Sequence, residues 1–262
     1  MKTYLWSKII ELAYNFKTMK LMYMDYMHNL TEDTFLNKYL SINNLIKNNS
    51  DYLNFIKIKS KYGFDILTIF DENYPEKLRN SIHPPIAFYY IGDINLINRK
   101  AISVVGSRIA PIRYLRKSEN LGKGLNNLKL IGVSGLAKGV DAYFHAGCHN
   151  SIGVLGCGID IIYPYNNKML YSKVAQQGCL ISEYPIGTKP LPWHFPRRNR
   201  IIASLGDILI IIYANEKSGS LITLDFALDL GKDIFLTNAM YERFDIPGYR
   251  ISDFKKCAII LR

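Results

Sequence analysis

The chain has 262 residues, 48% of them hydrophobic, enough for one large domain with a smaller companion. No run of roughly 20 apolar residues is present to span a bilayer, the longest candidate being Ile208 to Ala214, and Met1 to Phe16 lacks the apolar stretch and cleavage site of a signal peptide, so a cytoplasmic, non-membrane protein is expected. The formal net charge of +11 points to an anionic partner, and residues 101 to 262 carry most of the excess, with 20 basic against 12 acidic side chains.

The N-terminal region, residues 1 to 65, has apolar residues at helical spacing: Leu5, Ile9, Leu12 and Phe16, then Leu36, Leu40 and Leu45. Polar breaks fall at Asn29 to Asp33 and Asn48 to Asp51. The pattern predicts a small helical region. It has no proline before Pro75 and no glycine before Gly63, so it offers no phosphate loop and is assigned a structural or partner-binding role.

Residues 66 to 262 form the second region, and from about residue 100 short β-branched runs alternate with glycine turns and amphipathic stretches. The runs are Ile102 to Val105, Leu130 to Val133, Ile152 to Leu155, Leu180 to Ile181, Ile208 to Ile212 and Ile234 to Leu236. Strands this apolar are covered on both faces. With helical stretches such as Asn166 to Gln177 and Ser220 to Leu230, they predict an α/β fold with a doubly wound, mostly parallel sheet. Ligands of such sheets bind beyond the carboxyl ends of the strands, so the loops there are the candidate site.

The loop after the first of these strands is Gly106-Ser107-Arg108, and after the second comes Ser134 to Asp141, which includes Lys138. Small residues before a helix start present backbone N–H groups to phosphate oxygens, although such glycines also serve tight turns. Arg108 adds a guanidinium able to form a bidentate pair with phosphate. The third loop, Gly156-Cys157-Gly158, lacks the final glycine of a dinucleotide fingerprint and is interrupted by Tyr163-Pro164, and no P-loop is present. No cofactor is expected. Lys189 to Arg200 holds four cations, no acid and two large aromatics, and reads as a proline-stiffened loop in which Arg197, Arg198 and Arg200 neutralise phosphates beside Asn199. Trp193 or Phe195 offers a face for a base, with a hydrophobic plug beneath the loop as the alternative. Ser218-Gly219-Ser220 and Thr223 open a later helix with hydroxyl and N–H donors.

Asp141 and His145 share a helix face; a structural hydrogen bond is expected there rather than an acid/base pair, and two ligands do not make a metal site. His28, His83, His149 and His194 show no ligand spacing. Cys148, Cys157, Cys179 and Cys257 have no Cys-x-x-Cys spacing and read as reduced packing residues.

From about Tyr74 to Ala227 the chain resembles the DNA processing protein A (DprA/Smf) family. The resemblance rests on Tyr74-Pro75 and Leu78, Val104 to Arg108, Ser134 to Ala137 with Gly139, Asp141 and His145, Val154 to Gly158, Tyr163-Pro164, Ser182-Glu183, Phe195-Pro196 with Arg198 to Ile202, and Ser218 to Thr223, in order over roughly 150 residues. It implies an extended Rossmann-like domain that binds single-stranded DNA, protects it, forms a homodimer and helps load a RecA-type recombinase in natural transformation, without catalysis. It also implies that Arg108, Phe195, Arg198 and Arg200 belong to a basic DNA pocket. The chain departs from the family at Pro111 to Tyr114, at Tyr213 in place of a glutamate, and at Asn238-Ala239 in place of Pro-Gly. It ends at Arg262, and no C-terminal winged-helix domain is expected. The alternatives are a nucleotide-binding or nucleotide-cleaving enzyme of a related Rossmann-like group, whose Pro-Gly-Gly-x-Gly-Thr signature is absent, and a structural partner protein that has lost DNA affinity.

Overall fold

The apolar β-branched runs become the middle of a sheet. A computed structural model describes residues 1–40, 49–215, 218–237 and 255–256. Its strands are β1 (Asp65–Thr68), β2 (Ala87–Gly92), β3 (Ala101–Val105), β4 (Ile131–Ser134), β5 (Ser151–Val154), β6 (Cys179–Ser182), β7 (Ile208–Ile211), β8 (Asp233–Leu236) and β9 (Lys255–Lys256). Among the described residues they make one sheet in the order β1-β2-β6-β5-β4-β3-β7-β8-β9. Pairing is parallel from β6 to β9, whereas β1 with β2 and β2 with β6 are antiparallel. The six expected strands are all present, and the fold is the doubly wound α/β arrangement anticipated. The antiparallel pair β1 and β2 was not anticipated, because Asp65–Thr68 is only four residues long and Ala87–Gly92 follows Pro84-Pro85 without a glycine turn into a helix.

Alternation along the central strands covers both faces. Ile102, Val104, Ile210 and Ile212 pack with Leu121, Leu125 and Phe144 on one side, from α6 (Ile112–Asn127) and α7 (Val140–Gly147). Ala101, Val105, Leu209 and Ile211 join the opposite cluster with Ile201, Ile202 and Leu205 of α9 (His194–Leu205). The chain steps from β3 through β6 in one direction, and α9 then carries it back to place β7 on the other side of β3. The boundary between β3 and β7 is therefore the point where the winding reverses, and the two chains leaving it diverge to opposite faces.

The N-terminal residues fold as α1 (Lys2–Ala13), α2 (Phe16–Met27), α3 (Glu32–Tyr39) and α4 (Asn49–Tyr62). The break at Asn29 to Asp33 supplies a cap, Thr31 Oγ1 accepting from the Thr34 amide, and a further cap lies outside the named breaks, Asn15 Oδ1 accepting from the Lys17 and Thr18 amides. The buried stripe of α1 is Tyr4, Trp6, Ile9, Ile10 and Ala13, and Leu12 faces solvent, so the face is rotated from the Leu5, Ile9, Leu12 reading. These residues belong to the same apolar cluster as β5 and β6, so the helices share the core of the sheet. Leu45, Asn48 and Asn238-Ala239 lie outside the described residues. None of the described helices is long and apolar enough to cross a membrane.

Cys148, Cys157 and Cys179 are buried and free, and burial pushes the Cys148 thiol up to about 11 and Cys157 to about 12. They are packing residues, inert as nucleophiles; Cys257 lies outside the described residues. His145 is fully buried, with Nδ1 2.9 Å from Ser151 Oγ, and burial depresses its pKa to about 3. The folded state keeps it neutral while the unfolded chain takes up a proton near pH 6.5. Its contribution to stability is therefore complete above pH 6.5 and declines toward pH 3, at up to roughly 1.4 kcal/mol per pH unit. His145→Gln is expected to be less stable at pH 7.5 but to lose stability less steeply toward pH 5, as measured by urea denaturation; equal slopes for the two proteins would contradict the assignment.

Candidate nucleic-acid interface

Four segments meet at the carboxyl ends of β3 and β7 and enclose a cavity of about 440 Å³. Gly106, Ser107 and Arg108 come from the loop after β3, and Ala137 and Asp141 from the β4 loop and the start of α7. Phe195, Arg198 and Asn199 come from α9, and Ser218, Gly219, Ser220 and Thr223 from the start of α10 (Ser220–Asp229). Backbone bonds lock these loops together. The Ser107 amide donates to Tyr213 O at 2.7 Å, and Ser107 O accepts from the Val140 amide at 3.2 Å. Gly139 makes this possible: its φ is +75°, and a Cβ there would lie 2.5 Å from Ser107 O. Asn199 Nδ2 donates to Gly219 O at 3.0 Å, tying α9 to the first turn of α10.

The chemistry of the walls suits an anion. The start of α10 brings backbone N–H groups and the hydroxyls of Ser218 and Ser220, which lie 2.7 Å apart. Thr223 Oγ1, on the same wall, is buried and has no hydrogen-bond partner among the described residues. Arg108 is exposed, and its guanidinium carbon lies 4.9 Å from the centre of the Phe195 ring.

The arginine-rich segment differs most from expectation. Residues 194–205 are a helix rather than a loop, and Arg198 and Arg200 are 4% and 3% exposed, which removes them as phosphate clamps. Arg198 reaches into the floor of the cavity, where Nη1 donates to the carbonyls of Val154 and Gly135 and Nε to Asn199 Oδ1. Glycine at position 135 leaves room for this guanidinium, since a Cβ would sit 2.5 Å from Arg198 Nη2. Burial works against the Arg198 charge, and Asp141 is its counter-ion. Burial likewise raises the Asp141 carboxyl, while Arg198 and the Ala137 and Gly135 amides oppose the rise. Asp141 thus faces Arg198 and His145 faces Ser151, and the structural bond expected between the two is replaced by separate partners. Among the described residues no group of three or more His, Cys, Asp or Glu is placed to hold a metal.

Arg200 and Arg197 share Glu183, with Arg200 Nη2 at 2.5 Å and Arg197 Nε at 3.6 Å. Arg200 Nε also donates to His83 O. Arg197 donates to the carbonyls of Tyr14 and Ala13, capping the C-terminus of α1. His194 is buried beside this joint, with Nδ1 3.0 Å from Gly156 O and Nε2 2.8 Å from Tyr14 Oη. The tautomer protonated at Nδ1 donates to the carbonyl and accepts the tyrosine hydroxyl. The role of Glu183 was missed at the sequence level; its signal was an acid at the end of the apolar strand β6.

Phe195 is half-buried, carries Arg108 on its ring and lies near Tyr163 and Arg198, so it positions the Arg108 guanidinium instead of offering a free face to a base. Trp193 is 48% exposed and packs on Tyr14 and His194 outside the cavity. Lys138 is exposed next to the cavity residue Ala137 without lining it. The departure at Tyr213 is compensated, because its ring stacks on the buried Tyr114 at 4.9 Å.

A Rossmann-like sheet with an arginine and a helix N-terminus at its switch point defines a protein of the doubly wound α/β class with its cavity at the strand crest. Within that class the chain belongs to the DNA recombination-mediator protein A family, whose profile matches residues 65–250. The DNA processing protein DprA of Streptococcus pneumoniae is 39% identical over 176 residues, covering 66% of this chain and 62% of that protein. Protein Smf of Synechocystis is 34% identical over 197 residues, 72% of this chain and 50% of its own length. The chain therefore spans half to less than two thirds of the curated relatives named here. The solved S. pneumoniae DprA structure superposes with a TM-score of 0.68 at 31% identity, over 84% of this chain and 81% of that one. DNA processing protein A from Helicobacter pylori, whose structure is described for its single-stranded DNA binding mode, superposes at 0.67 with 26% identity, over 75% of this chain and 92% of that one.

The shared carboxylate governs the stability of this crest. Glu183→Gln leaves two buried guanidinium groups facing each other without a counter-ion, and the expected loss is about 3–5 kcal/mol. Guanidinium chloride unfolding should show the lower midpoint; a change below about 0.5 kcal/mol would mean that the carbonyl acceptors alone sustain the cluster.

Proposed function

We propose that the chain binds single-stranded DNA, seating a phosphodiester in the cavity between β3 and β7. The observation that carries this reading is the convergence, at the switch point, of the exposed Arg108, the N–H groups opening α10 and the unpartnered Thr223 hydroxyl. Each favours an oxyanion, and the family relationship brings the class of polymer. The cavity supplies phosphate donors and no array of base-edge readers, so binding has little sequence preference. At about 440 Å³ it admits a nucleotide unit and not a duplex.

The wider role follows the family resemblance: protection of incoming single strands and help in loading a RecA-type recombinase, by a homodimer in the cytoplasm, with no reaction catalysed. In support of binding over catalysis, titratable side chains of the crest are taken up by structural hydrogen bonds, Asp141 with the Ala137 and Gly135 amides and His194 with Tyr14 Oη and Gly156 O.

A labelled oligothymidylate should be retained in a gel shift against excess duplex competitor, with affinity falling steeply as salt rises. Duplex competing as well as single strand would refute the reading.

Arg108→Ala is expected to weaken binding by roughly tenfold or more, from loss of a charge-assisted contact of about 1.5–3 kcal/mol. Arg108→Lys should recover only part, lacking the bidentate fork. The salt dependence should flatten by about one unit of slope. Since Arg108 is exposed, the melting temperature should stay unchanged; wild-type binding together with a lower melting temperature would make Arg108 a structural residue.

A further inference from the structure

A second concavity, of about 720 Å³, lies on the other side of α9. It is bounded by Tyr14, Asn15 and Lys17 at the elbow between α1 and α2, by Trp193, Arg197 and Arg200, and by His83 and Phe226. We propose that this groove is a second subsite for the same DNA strand, in which a base stacks on Trp193 and a neighbouring phosphate meets Lys17. The proposal rests on the single-stranded DNA reading and gives the N-terminal helices a share in it.

Of the two aromatics in the α9 segment, Phe195 has Arg108 on its ring, whereas Trp193 is 48% exposed. The indole is also held in place, with Tyr14 at 5.5 Å and the His194 ring at 4.2 Å and nearly perpendicular. A fixed, half-exposed indole is a platform already organised for stacking.

Charge points the same way. The lining holds Lys17, Arg197 and Arg200 and no carboxylate, with His83 kept neutral by burial and the neighbouring cations. Beneath it one buried acid, Glu183, offsets two guanidinium groups, leaving a net positive field under an apolar floor. An exposed aromatic over such a field suits a base and its phosphate better than an acidic peptide, which would bury its apolar residues against the same floor without a stacking requirement.

Continuity supplies the path. α9 turns Phe195, Arg198 and Asn199 toward the crest cavity and Arg197 and Arg200 toward the groove, while α10 turns Thr223 to the first and Phe226 to the second. Pro192 lines the cavity and the next residue, Trp193, lines the groove. A flexible strand leaving the cavity over this turn crosses one helix, roughly 10–12 Å, to reach the indole. A stiff duplex does not follow that bend.

The test uses intrinsic fluorescence, because the chain has two tryptophans and Trp6 is buried, its Nε1 bonded to Glu32. The 262-residue chain is titrated with oligothymidylates of about 3 and about 15 nucleotides, spanning the range from the cavity alone to an extended site. The long oligomer is expected to quench the exposed emission and the short one to bind without quenching; Trp193→Phe should abolish the quench. Trp193→Ala should weaken the long oligomer by roughly fivefold to a hundredfold and leave the short one unchanged, and Lys17→Glu should weaken only the long one. Long-oligomer binding with no quench, or with Trp193→Ala equal to wild type, overturns the subsite while leaving the crest cavity intact. A Trp193→Ala protein of halved mass by light scattering, with DNA affinity unchanged, overturns it in favour of a contact between copies. Failure of wild type to bind either oligomer removes both this proposal and the DNA reading beneath it.

Discussion

A single turn of one helix carries Arg197, Arg198 and Arg200 into a part of the molecule that is otherwise apolar, and each must find charge and hydrogen-bond partners there. Guanidinium groups removed from water are tolerated only when paired and bonded. Glu183 at the end of β6, Asp141 at the start of α7, the carbonyls of Gly135 and Val154 and the end of α1 supply those partners. Because the partners come from five different segments, satisfying the arginines fixes how those segments converge. The crest cavity is what remains between them.

This division of labour separates the charges that build the site from those that attract a ligand. Arg198 and Asp141 lie on the floor, where the carbonyls of Gly135 and Val154 hold the guanidinium, so they lend rigidity and shape. In the proposed site the attraction is left to Arg108, to the N–H groups of α10 and to hydroxyls. Arg108 in turn leans on Phe195, a cation–π contact that orders its long side chain before a ligand arrives and lowers the entropic cost of binding.

Periodicity made the six central strands legible, since strands covered on both faces leave uninterrupted β-branched runs. It did not reveal β1 and β2: the first is too short to establish a pattern, and the second pairs antiparallel outside the βαβ rhythm. The glycine loops and Arg108 stood out by composition, and the structure brings Gly106 to Arg108 and Ala137 together around one cavity. The fate of Arg198 and Arg200 was hidden because a run of arginines reads the same whether it faces solvent or threads between carbonyls. Only tertiary contact with Glu183, Asp141 and Gly135 decides it, and those residues lie between 17 and 63 positions away in the chain. Helical spacing at the N-terminus predicted α1 but misjudged its buried face, because Trp6 and Ala13 count for more against the sheet than Leu12.

The cap that Arg197 places on the last carbonyls of α1 joins two cooperative units. Releasing the end of α1 would strip a half-buried guanidinium of its acceptors and unseat its neighbours Glu183 and Arg200, so the terminal turn of α1 cannot fray independently of the first turn of α9. These two distant stretches of sequence are thereby coupled, and their amide hydrogens are expected to exchange through one subglobal opening that reaches a helix beginning at the second residue of the chain.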